Sequence, residues 1–333
     1  MIGLGRALAV LLVVLAATAC APRFVLPGPP VQTPILEPNH VTLADGARLP
    51  LRTWRAEAER EKAVLLALHG FNDYGAFIAK AAWALAEQGV TTYAYDQRGF
   101  GGAPHTGRWA GAQAYVDDLK AVSRLLRAAH PGKPFYLLGE SMGGAVVLSA
   151  VTGDNPPEAD GAILSAPAVW GWRAMPLYQT VPLRIAANLF PCWVLTGEGL
   201  DITPSDNREM LIALGRDPLV IKGARVDTLY GLTTLMDRAY GAGGTFDQPA
   251  LILYGEKDEI IPWGPTRDLL AARPTEALKN QKVALYENGY HMLLRDLQGD
   301  VVLTDVMAWL ADPKAPLPSK ADANAAKIEP RQR

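Results

Sequence analysis

The spacing of apolar residues changes character along the chain, and those changes divide it. Val41-Thr42-Leu43, Ala44-Asp45-Gly46 and Leu49 to Trp54 read as a strand, a turn and a strand, hence a hairpin. Val64 to Leu68 is apolar at every position and ends in His69-Gly70. A run without alternation is expected of a strand buried on both faces. From there strands and helices take turns. The pattern predicts a helix over Ala76 to Gln88 closed by Gly89, a strand over Val90 to Tyr95 ending at Asp96, and an amphipathic helix over Ala112 to His130 stopped by Pro131-Gly132. A strand over Phe135 to Leu138, a helix over Met142 to Val151 and a strand over Gly161 to Leu164 follow. Farther on, strands are predicted over Ala250 to Tyr254 and Lys282 to Tyr286, and a final helix over Met292 to Leu310. Such alternation means a mostly parallel sheet flanked by helices, with ligands expected beyond the C-terminal ends of the strands.

Residues 166–244 break the alternation. Prolines and tryptophans gather there (Trp170, Trp172, Pro176, Pro182, Pro191, Trp193), and helical pieces replace strands. This stretch reads as a cap inserted into a core made of residues 39–165 and 245–312. Residues 20–38 carry Pro27, Pro29, Pro30, Pro34 and Pro38 and read as an extended tether. Residues 313–333 show no apolar period and are expected to be a disordered tail.

The first nineteen residues follow another rule. Arg6 precedes the uncharged run Ala7 to Ala17, and then come Ala17-Thr18-Ala19 and Cys20. The run is shorter than the roughly 20 apolar residues a bilayer span needs. Its order of charge, apolar run and small residues is that of a secretory signal peptide over residues 1–19. Leu15 to Cys20 resembles a bacterial lipobox, which would make Cys20 a lipidated first residue; ordinary cleavage after Ala19 is the rival. Ala21 in place of an aspartate implies attachment at an outer membrane where one exists. Cys192 is the only other cysteine, so lipidation of Cys20 leaves no internal disulfide, and Cys192 is expected to be a buried thiol.

Composition narrows the function. The 333 residues are 49% hydrophobic and 20% charged, with a formal net charge of −2. That gives no electrostatic case for nucleic acid. No paired His/Cys cluster has zinc spacing, and neither a metal nor an organic cofactor is indicated.

The strongest chemical signal is Gly139-Glu140-Ser141-Met142-Gly143, set between a predicted strand and a predicted helix. G-x-S-x-G in that context is a nucleophile elbow, a turn so tight that the serine stands exposed above the sheet. Gly139 and Gly143 are required because a Cβ at either would strike neighbouring backbone. Serine at its free pKa needs a base. Five histidines are available. His40 lies at the first strand, His105 in a Gly/Pro-rich loop, and His130 at a helix end. His69 is read as structural. His291 follows the last strand and is the base. The acid should lie between Ser141 and His291 in the chain. Asp258, in the turn after Leu251 to Gly255, fits, and Glu256 and Glu259 are expected to face solvent. Trp193 to Asp201 imitates that strand-and-turn pattern, but inside the cap. The oxyanion donors are assigned to the backbone N–H groups of Met142 and, after His69-Gly70, Phe71. Asp96 to Gly101 is read as scaffold for that loop.

These motifs occur in the order seen in monoacylglycerol lipases and the lysophospholipase-like hydrolases, and the resemblance covers about Val41 to Leu310. It implies an α/β-hydrolase fold and a serine hydrolase acting on carboxylic esters with an apolar acyl or aryl part, so a lipid or other small ester as partner. Glu140, where histidine is common in that group, resembles the lysophospholipase-like branch. Asp201 to Asn207 and Arg216-Asp217-Pro218 resemble bacterial members of that branch. The cap residues Trp170, Trp172, Met175, Leu177, Leu189, Phe190, Trp193 and Leu235 suit an apolar lid. A non-ester reaction on the same triad, such as haloperoxidase or C–C bond hydrolysis, and a non-catalytic lipid- or partner-binding lipoprotein on a hydrolase scaffold are the alternatives.

Overall fold

The computed structural model describes residues 21–324. The signal peptide expected over residues 1–19, Cys20 and the last nine residues lie outside them. Nine strands form one sheet: β1 (Ile35–Leu36), β2 (His40–Thr42), β3 (Arg48–Trp54), β4 (Ala63–Leu68), β5 (Val90–Tyr95), β6 (Phe135–Glu140), β7 (Gly161–Ser165), β10 (Ala250–Gly255) and β11 (Gln281–Tyr286). A separate pair, β8 (Val194–Thr196) and β9 (Gly223–Arg225), lies between β7 and β10 in the chain. The sheet order is β1-β2-β3-β5-β4-β6-β7-β10-β11. The hairpin strands β2 and β3 are antiparallel, β3 runs antiparallel to β5, and everything from β5 onward is parallel.

The unbroken apolar runs have the expected cause. Every residue of β4, β5, β6, β7 and β10 is buried. Along β4, Val64, Leu66 and Leu68 feed one hydrophobic layer, while Ala63, Leu65 and Ala67 feed the other. The first layer is covered by α2 (Ala112–Ala129), α3 (Met142–Val151), α6 (Val226–Gly241) and α7 (Trp263–Ala271). The second is covered by α1 (Ala79–Glu87) and α8 (Gly299–Ala311). On α2, Tyr115, Leu119, Val122 and Leu126 recur at helical spacing and face inward. α3 is buried all round, as a helix must be when wedged between sheet and neighbours.

Several expectations need correction. Residues 21–38 do not hang free as a tether. Val25 N–H donates to Trp109 O (2.8 Å), Val31 N–H donates to Ala44 O (2.7 Å), and Ile35–Leu36 adds the edge strand β1. The prolines leave few donors, and Val25, Val31 and Gln32 spend theirs on the core. The disordered tail expected over 313–333 is, over 313–324, packed chain. Leu317 and Ala321 are buried in the second layer, and Leu285 N–H donates to Ala321 O (3.0 Å) on the outer edge of β11. Two apolar residues suffice there, although they are too few to show a period.

The last helix begins at Gly299 rather than Met292. Met292 N–H donates to Pro204 O, and the Asp296 carboxylate accepts the Tyr290 N–H, so this backbone is spent on turns. The insertion contains the strand pair β8–β9 besides α4 (Leu177–Leu189), α5 (Arg208–Arg216) and α6. α6, assigned to the cap, packs instead on the core through Leu235, Met236 and Ala239. At Gly231 an added Cβ would lie 2.3 Å from the Trp109 ring, so glycine permits that close approach. Cys192 is exposed, not buried: it lies in a cap loop and accepts from Arg225 Nη2 (3.2 Å).

Candidate active site

Strand β6 ends at Glu140 and α3 starts at Met142, leaving one residue for the reversal. That residue, Ser141, has φ 53° and ψ −115°, outside the usual regions for a side-chain-bearing residue. Its neighbours make the turn possible. A Cβ on Gly139 would lie 2.4 Å from the Gly143 backbone, and one on Gly143 would lie 2.2 Å from Leu68 O. The Ser141 N–H donates to Ser165 O (2.9 Å), and Ser141 O accepts from Ala145 and Ala168 N–H (3.1 and 2.9 Å). The strained residue is therefore held by its own backbone bonds. The α3 N-terminus, beginning with Met142, directs its positive end at this point.

Asp258 and His291 arrive from the ends of β10 and β11. A Cβ on Gly255 would collide with the Gly289 backbone at 2.4 Å, so glycine lets the two loops touch. Asp258 Oδ1 accepts the N–H groups of Ile260 and Ile261 (2.8 and 2.9 Å). Its Oδ2 lies 2.8 Å from His291 Nδ1, and both side chains are nearly or wholly buried. With Nδ1 so engaged, Nε2 is the nitrogen left to act on a serine. Ser141, His291, Gly70 and Phe71 share the wall of one cavity of about 260 Å³. Glu256, Glu259 and Asp201 are exposed; the Asp201 segment follows the small cap strand β8, which is not part of the main sheet.

The other histidines are occupied elsewhere. His69 is buried, and its Nε2 accepts the Gln97 N–H (3.0 Å), so Nδ1 carries the proton and donates to Gly70 O (2.8 Å). Burial lowers its pKa and keeps it neutral. Gln97 Nε2 also donates to His69 O (2.9 Å), and the His69 and Phe71 rings both pack edge-on against Phe100. The Asp96 to Gly101 stretch thus props the loop that carries Phe71. His130 pairs with Glu61 (3.0 Å), His40 with Glu37, and His105 is exposed.

Sequence reasoning missed a charged cluster on the wall of the same cavity. Arg295 Nη1 donates to Asp73 Oδ2 (2.7 Å) and Nη2 to Glu140 Oε1 (2.5 Å). Burial, the largest influence on Glu140, raises its carboxyl above the usual range against the pull of Arg295. Asp296 takes the Tyr290 N–H (2.8 Å) and Ser205 Oγ–H (2.6 Å), pinning the cap to the histidine loop. The signal was visible: Arg295 and Asp296 interrupt the apolar segment that follows His291. Of the lid residues named, Trp170 lines the cavity, joined by Leu232, Met236, Ile260 and Met292. Leu177, Leu189, Phe190 and Trp193 lie exposed on the cap. Among the described residues no His/Cys/Asp/Glu group could hold a metal ion, and no helix is long and apolar enough to cross a membrane.

Residues 59–298 match the family model described as serine aminopeptidase, S33. The chain belongs to that hydrolase family. The chain is similar to a monoacylglycerol lipase of Mycolicibacterium smegmatis, 27% identical over 80% of this chain and 93% of its own. The monoglyceride lipase of Rattus norvegicus is 25% identical over 85% of this chain and 93% of its own. Among solved structures, a soluble variant of the Saccharomyces cerevisiae monoglyceride lipase in complex with a substrate analogue superimposes with a TM-score of 0.69. It is 20% identical, over 89% of this chain and 99% of that one. The fold is thus the α/β-hydrolase fold the sequence motifs imply, and the chain is a lipase- or esterase-like hydrolase of this family.

Proposed function

We propose that this hydrolase cleaves carboxylic esters with an apolar acyl or aryl part, as a monoacylglycerol lipase or lysophospholipase does, through an acyl-enzyme on Ser141. The observation that carries the reading is a strained serine at φ 53° sharing one cavity with a histidine whose Nδ1 meets a buried aspartate at 2.8 Å. In this mechanism Ser141 Oγ attacks the ester carbonyl carbon while its proton passes to His291 Nε2. Asp258 holds the ring and stabilises the imidazolium. The N–H groups of Met142 and Phe71 receive the oxyanion, each worth about 10²–10³ in rate. The intermediate collapses, the C–O bond to the alcohol breaks, and the alcohol leaves with the proton from His291. Water then repeats the sequence on the acyl-serine and releases the acid. The apolar walls of the cavity, with Trp170, Met236 and Ile260 among them, support an apolar acyl group.

Export by the N-terminal signal, with Cys20 lipidated at the cell envelope, belongs to the same proposal. The residues just past Cys20 run along the core, where Arg23 N–H donates to Asp227 on α6 (3.4 Å) and Val25 N–H donates to Trp109 O (2.8 Å). The deciding experiment is labelling of wild type and Ser141→Ala by a fluorophosphonate, followed by turnover of p-nitrophenyl esters from acetate to palmitate. Labelling that disappears in the mutant, with an optimum at medium or long chains, is expected. Full esterase activity in Ser141→Ala would overturn the mechanism.

A further inference from the structure

The three loops that make up the site come from different strand ends. The loop after β4 carries Phe71, the β6–α3 turn carries Ser141, and the loop after β11 carries His291. Each also carries one member of the buried cluster: Asp73 lies two residues past Phe71, Glu140 directly before Ser141, and Arg295 four residues past His291. One guanidinium joins all three, at 2.7 Å to Asp73 and 2.5 Å to Glu140. The three side chains are 10%, 8% and 2% exposed, and all line the cavity that holds Ser141. The Arg295 backbone carbonyl further accepts from Asn207 Nδ2 of the cap (2.9 Å), and its guanidinium carbon lies 5.9 Å from the Phe77 ring.

Stability alone is a poor reason for such a cluster. Desolvating two carboxylates and a guanidinium costs about what their attraction returns, and apolar replacements are often as stable. Among the described residues, the cluster also leaves Glu140 Oε2 and Arg295 Nε, both buried, without a hydrogen-bond partner. What a planar guanidinium supplies instead is fixed geometry, because its donors diverge at set angles and bind carboxylates rigidly. A 1 Å misplacement of reacting groups costs about 10²-fold in rate.

We propose that Arg295 is a positioning residue: pairing at once with Asp73 and Glu140, it sets the oxyanion loop, the nucleophile and the base loop at their working separation. The inference rests on the serine-hydrolase reading above. Its test uses Arg295→Met, Arg295→Lys and the triple variant Asp73→Leu/Glu140→Met/Arg295→Met, which replaces the whole cluster by apolar side chains. Each is measured for Tm, for kcat and KM on one p-nitrophenyl ester, and for the rate of fluorophosphonate labelling. Arg295→Met is expected to lose about 100-fold in kcat and in labelling rate, with KM within about threefold. Arg295→Lys keeps the charge but not the fork, and should recover less than about tenfold of that loss. The triple variant should regain the wild-type Tm while kcat stays low, an outcome that a purely structural cluster would not give. Should Arg295→Met fail to fold, the lysine and triple variants carry the test. Wild-type kcat in either of them overturns the proposal, whatever happens to Tm. Labelling of wild type at Ser141 separates the two claims: if present alongside fully active Arg295 variants, only this inference falls. If wild type itself is not labelled, the hydrolase reading falls and takes this one with it.

Discussion

Ser141 bears a conformational cost at the position proposed as the nucleophile. A side-chain-bearing residue at φ 53°, ψ −115° stores about 1–3 kcal/mol, which glycine would not. Ser141→Gly should therefore raise Tm by about 1–4 °C while abolishing labelling and turnover, as calorimetry beside an activity assay would show. Asp258→Asn should keep the fold yet lower kcat by about 10⁴, because the amide favours the wrong imidazole tautomer. Glu140 makes a prediction about pH. Its folded pKa is raised above the ordinary 4.5, chiefly by burial. As pH rises past 4.5, the unfolded chain gives up this proton before the folded one does, so the folded state is penalised. Glu140→Gln should flatten that decline in Tm above pH 4.5 while its amide oxygen still accepts from Arg295. The strained turn at Ser141 and the meeting of Asp258 with His291 were legible because each follows a local rule of motif, elimination or chain order. Arg295 was not, since its meaning comes from two carboxylates more than 150 and 220 residues away.

At the scale of elements, buried strands and α2 were readable because every turn of each must find an apolar partner. Boundaries failed where other partners drew the chain out of the helix pattern: Met292 N–H donates to Pro204 O of the insertion, and the Asp296 carboxylate turns back to the Tyr290 N–H. The small β8–β9 pair was hidden for a different reason: its three-residue strands carry too little pattern. The stretch after α8 shows the limit of reading composition. Pro, Ala and Lys mask two anchoring residues, Leu317 and Ala321, with Lys282 placed near Asp322 (3.6 Å). Leu317→Ala should cost about 2–4 kcal/mol, measured as a lower urea midpoint at unchanged slope.

Across the whole molecule, one alternation of strands and helices fixed the architecture, and the insertion was visible as its interruption. What the pattern could not show was that α6 belongs to the core, because a helix that serves both cap and core carries one apolar face in either case. The packed C-terminal stretch has a consequence beyond stability. A nine-stranded sheet has two rims, and an open rim of N–H and C=O groups can recruit another chain's strand. One rim is β1, only two residues long and flanked by Pro34 and Pro38. The other is β11, where Leu285 N–H donates to Ala321 O and Asn324 Nδ2 donates to Leu285 O. A chain ending at Asp312 would keep its triad but bare this second rim. Light scattering during refolding should then show concentration-dependent association that the longer chain resists, so the last turns of the protein act as a guard against polymerisation.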